Sequence, residues 1–228
     1  MAAAFTLEQV CVRHGTAVLL DSVTTEIRAG ICTAVVGPSG AGKSTLLRLL
    51  NRLGEPTSGR VLMRGQPLTD LDVLDLRRRV GLVAQAPVLL TERVIDELRV
   101  GRQQLTAQQA AALLDRVGLP AAMLERPPAG LSGGEAQRVC LARTLAVDPD
   151  ILIADESTSA LDPASVAAVE AVFKQLVADG ETVIFVSHNA AQARRTAREA
   201  VVLTAGRLVE HGPVDQVAYL QRKQGEPE

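Results

Sequence analysis

The stretch Gly37-Pro38-Ser39-Gly40-Ala41-Gly42-Lys43-Ser44-Thr45 constrains this chain more than any other. It fits the phosphate-cradling pattern G-x-x-x-x-G-K-[ST]. A triphosphate carries several negative charges and must be held without blocking its reactive end. Gly37, Gly40 and Gly42 let the backbone turn tightly and aim N–H groups inward. A helix beginning here adds its positive dipole end. Lys43 then reaches the β- and γ-phosphates, and the Ser44 hydroxyl is placed to ligate Mg²⁺. The pattern has meaning only between a strand and a helix. Cys32-Thr33-Ala34-Val35-Val36 upstream reads as a buried strand, and Leu46, Leu47, Leu49, Leu50 and Leu53 downstream recur at near-helical spacing.

The chain has 228 residues, of which 47% are apolar but only 2% aromatic. One domain, or a domain with a subdomain, can therefore build a core, and Leu, Val, Ile and Ala must fill it. The net charge of −2 argues against a strong grip on nucleic acid. Cys11, Cys32 and Cys140 have no metal-type spacing and read as reduced core cysteines of a cytosolic protein. Met1–Phe5 is too short for a signal sequence. The longest uncharged stretch, Ala29 to Gly42, is too short to span a bilayer. Any membrane role is expected to come through a partner.

Residues 5–36 alternate apolar and polar with turns at Gly15 and Gly30, which predicts strands. Further strands are expected at Gly59–Met63, Gly81–Gln85, Ile151–Ala154 and Thr182–Val186, and helices at Asp72–Val80 and Pro163–Leu176. Residues 86–147 show helical stretches and no convincing strand, including a capping box at Thr106–Gln109. The whole reads as an α/β fold: a P-loop NTPase core with a mainly parallel sheet, N-terminal antiparallel β strands and an inserted helical subdomain. The expected organisation is a single domain over 1–228, the subdomain over about 86–147, and a flexible tail over 221–228.

Two further elements carry chemistry. Ile151-Leu152-Ile153-Ala154-Asp155-Glu156 is an apolar strand ending in acids. Asp155 fits a Mg²⁺ ligand, and Glu156, at the strand's mouth, is placed to polarise a water for in-line attack on the γ-phosphate. Leu131-Ser132-Gly133-Gly134-Glu135 reads as a capping box for a helix running to about Ala146. Gly133 and Gly134 leave its first turn bare, so an anion can approach the N–H groups closely. The same bare, capped start also suits a purely structural helix.

Leu131 to Arg138 resembles the signature motif of ATP-binding cassette (ABC) ATPases. Gln85 is similar to the family's Q-loop glutamine, Ser159-Ala160-Leu161-Asp162 to its D-loop, and His188 to its switch histidine. Gly206–Gly212 resembles its closing hairpin. The resemblance covers residues 5–215 and implies an ABC nucleotide-binding domain with ATP and Mg²⁺ as cofactors. It implies that two copies associate head to tail, each ATP lying between one P-loop and the partner's Ser132, Gly133, Gly134 and Glu135. It also implies that Gln85 ligates Mg²⁺, Asp162 couples the two sites, and His188 contacts the γ-phosphate. His14, before Gly15, stands where the family usually stacks an aromatic ring on adenine. Asn189 stands where Asp is frequent and can still cap the next helix. Ser157 stands where proline is frequent. His211 matches no motif and reads as surface.

The class implied is the ATP-hydrolysing motor subunit of a transporter, peripheral on the cytoplasmic face of the membrane through an integral membrane subunit. The alternative is an ABC ATPase of iron–sulfur cluster assembly or cell division. DNA-repair and translation cassettes carry coiled coils, zinc modules or a second cassette, and none is seen here. Gln85–Pro87 and Glu156–Pro163 resemble a bacterial group associated with metal (iron) export. Ala86–Leu90 and Val94–Leu98 lie where the family docks a membrane subunit, and their apolar content is costly on a free surface. The same residues also fit the core of the helical subdomain.

Overall fold

The computed structural model describes residues 2–221, so the expected flexible tail lies, but for Gln221, outside the described residues. The chain opens with two long strands, β1 (Ala3–His14) and β2 (Ala17–Arg28), followed by β3 (Cys32–Val36) and helix α1 (Lys43–Leu50). Next come β4 (Ser58–Met63), β5 (Gln66–Pro67), α2 (Val73–Arg79) and β6 (Val80–Val83). Between β6 and the next strand the described chain forms only helices: α3 (Val94–Arg99), α4 (Ala107–Arg116), two short 3₁₀ turns and α5 (Gly133–Leu145). Alternation then resumes with β7 (Ile151–Ala154), α6 (Pro163–Ala178), β8 (Thr182–Val186) and α7 (Ala190–Thr196). The chain closes with β9 (Glu199–Thr204), β10 (Arg207–Pro213) and α8 (Ala218–Gln221).

Two sheets result. One is antiparallel, in the order β2-β1-β4-β5; the other runs β10-β9-β3-β8-β7-β6 and is parallel except for the β9–β10 hairpin. A parallel sheet is covered on both faces, so its strands are near-continuous apolar runs. The alternation of side chains divides these runs between two cores. Ala34, Val36, Leu152, Ala154, Val183, Phe185, Ala200 and Val202 join the helical side. Val35, Ile151, Ile153, Ile184, Val186, Val201 and Leu203 join α1 and the antiparallel sheet. A one-residue slip in any of these strands would exchange its two faces.

This register brings the strand ends to one edge. Phe185 aligns with Ala154, Ala154 with Val83, and Val35 with Val186. The P-loop, Gln85, Asp155, Glu156 and His188 all follow these ends. Ligands of open α/β sheets bind beyond the carboxyl ends of the strands.

Three details differ from the sequence expectation. Strand β6 ends at Val83 rather than Gln85, because the Asp155 N–H takes the Val83 carbonyl as the last rung (2.9 Å) and the chain then turns away. Helix α6 runs on to Ala178. The stretch from 86 to 98 divides: Val94, Ile95 and Leu98 are core residues, whereas Val88 (57% exposed) and Leu90 (63%) stand in solvent. His211, expected on the surface, is exposed on β10 and bonds the Thr25 hydroxyl through Nδ1 (2.9 Å).

Candidate active site

The P-loop turns between β3 and α1 with Gly37, Gly40 and Gly42 all at positive φ. Gly37 is the tightest: at φ +142° a Cβ there would lie 2.0 Å from the Leu203 carbonyl oxygen of β9. No side chain fits, so the loop stays pressed on the sheet edge. Pro38, Ser39, Gly40 and Ala41 form the bend, and Gly206 ties the β9–β10 hairpin to it by donating to the Ala41 carbonyl (3.2 Å). Ser44 and Thr45, in the first turn of α1, are half-buried.

Lys43 begins α1 and is buried (4% exposed). Its ammonium donates to the carbonyl oxygens of Gly37 (3.0 Å) and Pro38 (2.8 Å), folding back over its own loop. Burial pushes its pKa below the usual lysine value, and the carboxylates of Glu156 and Asp155 oppose that shift.

Ser44 Oγ donates to Asp155 Oδ1 at 2.8 Å, so the two oxygens expected to hold Mg²⁺ already meet. Glu156 adopts a left-handed backbone, φ +49°, two residues past Ala154, the last of β7. Such a conformation is uncommon for a non-glycine residue and is held in place by its surroundings. Those surroundings grip both carboxylate oxygens. Gln85 Nε2 donates to Oε2 (3.0 Å), and His188 Nε2 meets Oε1 (2.5 Å). Loops after three parallel strands thus converge on one carboxylate, whose side chain is 16% exposed beside a His188 that is 43% exposed.

The signature residues sit elsewhere. Ser132 caps α5, its Oγ accepting from the Glu135 N–H (3.2 Å) while Glu135 Oε2 accepts from the Ser132 N–H (2.8 Å). The Ser132 N–H is the main reason that Glu135's carboxyl is held below its usual pKa. Ser132 and Gly133 are exposed, and a Cβ on Gly133 would meet open space. Gly134 is confined: a Cβ there would lie 2.6 Å from Ser165 Oγ and 3.3 Å from Asp162 Oδ2. Asp162 caps α6, accepting from the N–H groups of Ala164 and Ser165 and from Ser165 Oγ (2.6 Å). Its pKa is lowered, chiefly by the Ser165 hydroxyl. Among the described residues no hydrogen bond joins 132–135 to the P-loop of the same chain. His14 ends β1 in an exposed hairpin, opposite Ala17, with Val18 (42% exposed) and Leu19 (37%) close by in sequence.

The family model described as ABC transporter matches residues 20–159 of this chain. The chain belongs to the ABC transporter family. "Protein STAR1" of Oryza sativa subsp. japonica is 43% identical over 205 residues, covering 88% of this chain and 59% of that protein. The chain therefore spans less than two thirds of that relative. "Phosphate import ATP-binding protein PstB 2" of Mycobacterium tuberculosis is 41% identical over 215 residues, covering 87% of this chain and 78% of that protein. A dimeric structure of a post-hydrolysis state of the ATP-binding cassette MJ0796, bound to ADP and Pi, superposes with a TM-score of 0.82 at 28% identity. It covers 92% of this chain and 98% of that one. The fold is that of an ABC nucleotide-binding domain, and the chain is an ATP-binding, ATP-hydrolysing motor subunit of the ABC transporter type.

Sequence reading missed the side chains that brace the site from behind. Gln137 of α5 donates to the Ala84 carbonyl (2.8 Å), and Gln192 of α7 bonds Thr158 and Ser187. Asn189-Ala190-Ala191-Gln192 has capping-box spacing, which was the available signal. Asn189 does cap α7, accepting from the Gln192 N–H (3.1 Å), but the Gln192 side chain turns inward instead of back to the cap.

Proposed function

We propose that ATP hydrolysis in this subunit uses Glu156 to polarise the attacking water, with His188 and Gln85 fixing its carboxylate. The observation that carries this reading is the pair of contacts on Glu156, one to each oxygen, at the edge that also bears the P-loop. Lys43 and the loop 37–45, through its N–H groups at every position but Pro38, bind the β- and γ-phosphates, and His14 lies against the base. Ser44 and Asp155, with Gln85, would hold Mg²⁺. Mg²⁺ takes one or two carboxylates plus phosphate oxygens and keeps several waters. The Ser44–Asp155 oxygen pair fits that habit, and when bound the ion neutralises charge on the β- and γ-phosphates.

In this reading the site is completed by a second copy. Ser132 and Gly133 face solvent, so they are free to meet a γ-phosphate held by another chain, and Glu135 holds the helix start in shape. Asp162, beside Gly134, transmits closure of one site to the other. Force passes to a separate integral membrane subunit, for which exposed Val88 and Leu90 just beyond Gln85 offer apolar contact. Through that partner the subunit sits at the membrane's cytoplasmic face. Among the described residues no helix is long and apolar enough to cross a membrane.

The test is Glu156→Gln, which keeps the bond from Gln85 and removes the base. It is expected to retain ATP binding, stop turnover and accumulate an ATP-bound dimer by light scattering. Continued turnover at the wild-type rate would remove Glu156 from the chemistry.

A further inference from the structure

The loops after β7 and β8 carry Glu156 and His188, and among the described residues no backbone hydrogen bond joins 156–161 to 187–189. A cavity of about 340 Å³ opens between them, bordered by Glu156, Thr158, Ser187, His188 and Gln192. The two loops are therefore not packed face to face, and bridging side chains hold their separation.

Gln192 spans the gap. Its side chain is buried (4% exposed) and its amide is fully used. Nε2 donates to Thr158 Oγ1 (3.0 Å) and to Glu170 Oε1 (3.1 Å), while Oε1 accepts from Ser187 Oγ (2.7 Å). The orientation is forced. Glu170, 6% exposed, is gripped by Arg195 through Nε (2.9 Å) and Nη2 (2.6 Å), so its carboxylate oxygens act as acceptors there and call for a donor from Gln192. The amide nitrogen must turn to Glu170, which leaves the amide oxygen for Ser187. Thr158 is two residues past Glu156, and Ser187 immediately precedes His188.

We propose that Gln192 is a positioning residue for hydrolysis: braced by the Glu170–Arg195 pair, it locks the Glu156 loop to the His188 loop and so holds the contact between them. It acts through Thr158 and Ser187, and among the described residues it makes no hydrogen bond of its own to Glu156 or His188. The proposal rests on the hydrolytic role given above to Glu156.

Gln192→Met keeps length and volume and removes both polar ends. Steady-state hydrolysis at protein concentrations that support the dimer reads the effect. The expected result is a kcat lowered roughly 10- to 100-fold, the scale of a misplaced catalytic group, with ATP affinity by calorimetry unchanged. On a His188→Ala background the same change should add less than about 2-fold, because both act on one contact. An unchanged kcat, or a full multiplicative loss on the His188→Ala background, overturns the proposal. Should Gln192→Met not fold, Thr158→Val removes one end of the bridge from outside the core, and an unchanged kcat there overturns it equally. Glu156→Gln separates the two ideas: if that variant still turns over, the hydrolytic reading fails first, whereas a dead Glu156→Gln beside an unaffected Gln192→Met sinks this proposal alone.

Discussion

Glu97 is fully buried (0% exposed) and stands where the loop 88–91 meets α5. One carboxylate oxygen accepts from the N–H groups of Leu90 and Thr91 and from Thr91 Oγ1 (3.1 Å). The other accepts from Arg143 Nη1 (2.6 Å), and the same nitrogen reaches the Val88 carbonyl (2.9 Å). Glu97→Ala removes both carboxylate acceptors and leaves the Val88 carbonyl to Arg143. Breaking a buried ion pair from one side costs about 3–5 kcal/mol, because the remaining charge is left uncompensated. Two features move the figure to the lower end: Arg143 is already 21% exposed and keeps Val88, and the freed N–H groups lie beside an exposed Leu90 that water reaches. The expected loss is therefore about 3 kcal/mol, a drop in Tm of roughly 6–12 °C for a chain of this size. Urea unfolding at constant m-value is the assay. Glu97→Gln retains an acceptor for the two N–H groups but turns an amide donor toward Arg143 or leaves it short of a partner, so it should cost less. The double variant Glu97→Leu with Arg143→Met should regain part of the loss, since no charge is then stranded. A Glu97→Ala loss below about 1 kcal/mol would refute the reasoning, because a surface ion pair would give the same value.

Three further outcomes are expected. Lys43→Ala should abolish nucleotide binding by calorimetry, since the P-loop then has no cation for the phosphates; retained tight ATP binding would show that the loop is not the site. Gly134→Ala should force Ser165 Oγ from its place and loosen the Asp162 cap, costing about 1–3 kcal/mol in denaturant unfolding; a neutral result would mean α5 has room to shift. In timed alkylation followed by mass spectrometry, Cys11 should react first, because hydrogen bonding by Ser58 and Ser22 lowers its pKa. Cys32, pushed up to about 12 by burial, should stay unmodified at mildly alkaline pH until the protein unfolds; early labelling of Cys32 would contradict its burial at the start of β3.

Strands Ile151–Ala154 and Thr182–Val186 were legible to the residue because apolar runs with polar or glycine borders leave a buried parallel strand little choice. Both capping boxes, at Thr106 and Ser132, were legible because the geometry needs only a local spacing. What escaped was set by distance along the chain. Glu97 and Arg143 are 46 residues apart, and Gln192 and Thr158 are 34 apart. No period or spacing announces such a pair, and a polar residue reads as exposed until its partner is seen. The division of 86–98 into a buried Val94–Leu98 and an exposed Val88 and Leu90 was hidden too: the wholly apolar Ala86–Leu90 is the half with residues in solvent, the half carrying Asp96 and Glu97 is the one in the core, and only tertiary packing separates them.

The two carbonyl bonds of Lys43 make the P-loop a closed latch rather than an open hand. An arriving anion has to offer the ammonium more than Gly37 and Pro38 already do. A single weak charge, such as chloride, offers little beyond two carbonyls and leaves the latch shut. A polyphosphate offers several oxygens at full charge and a chain of N–H donors to engage at the same moment. On the phosphate-binding role proposed for Lys43, the loop would thereby set an entry threshold and favour ligands of high charge density before any contact with a base is made.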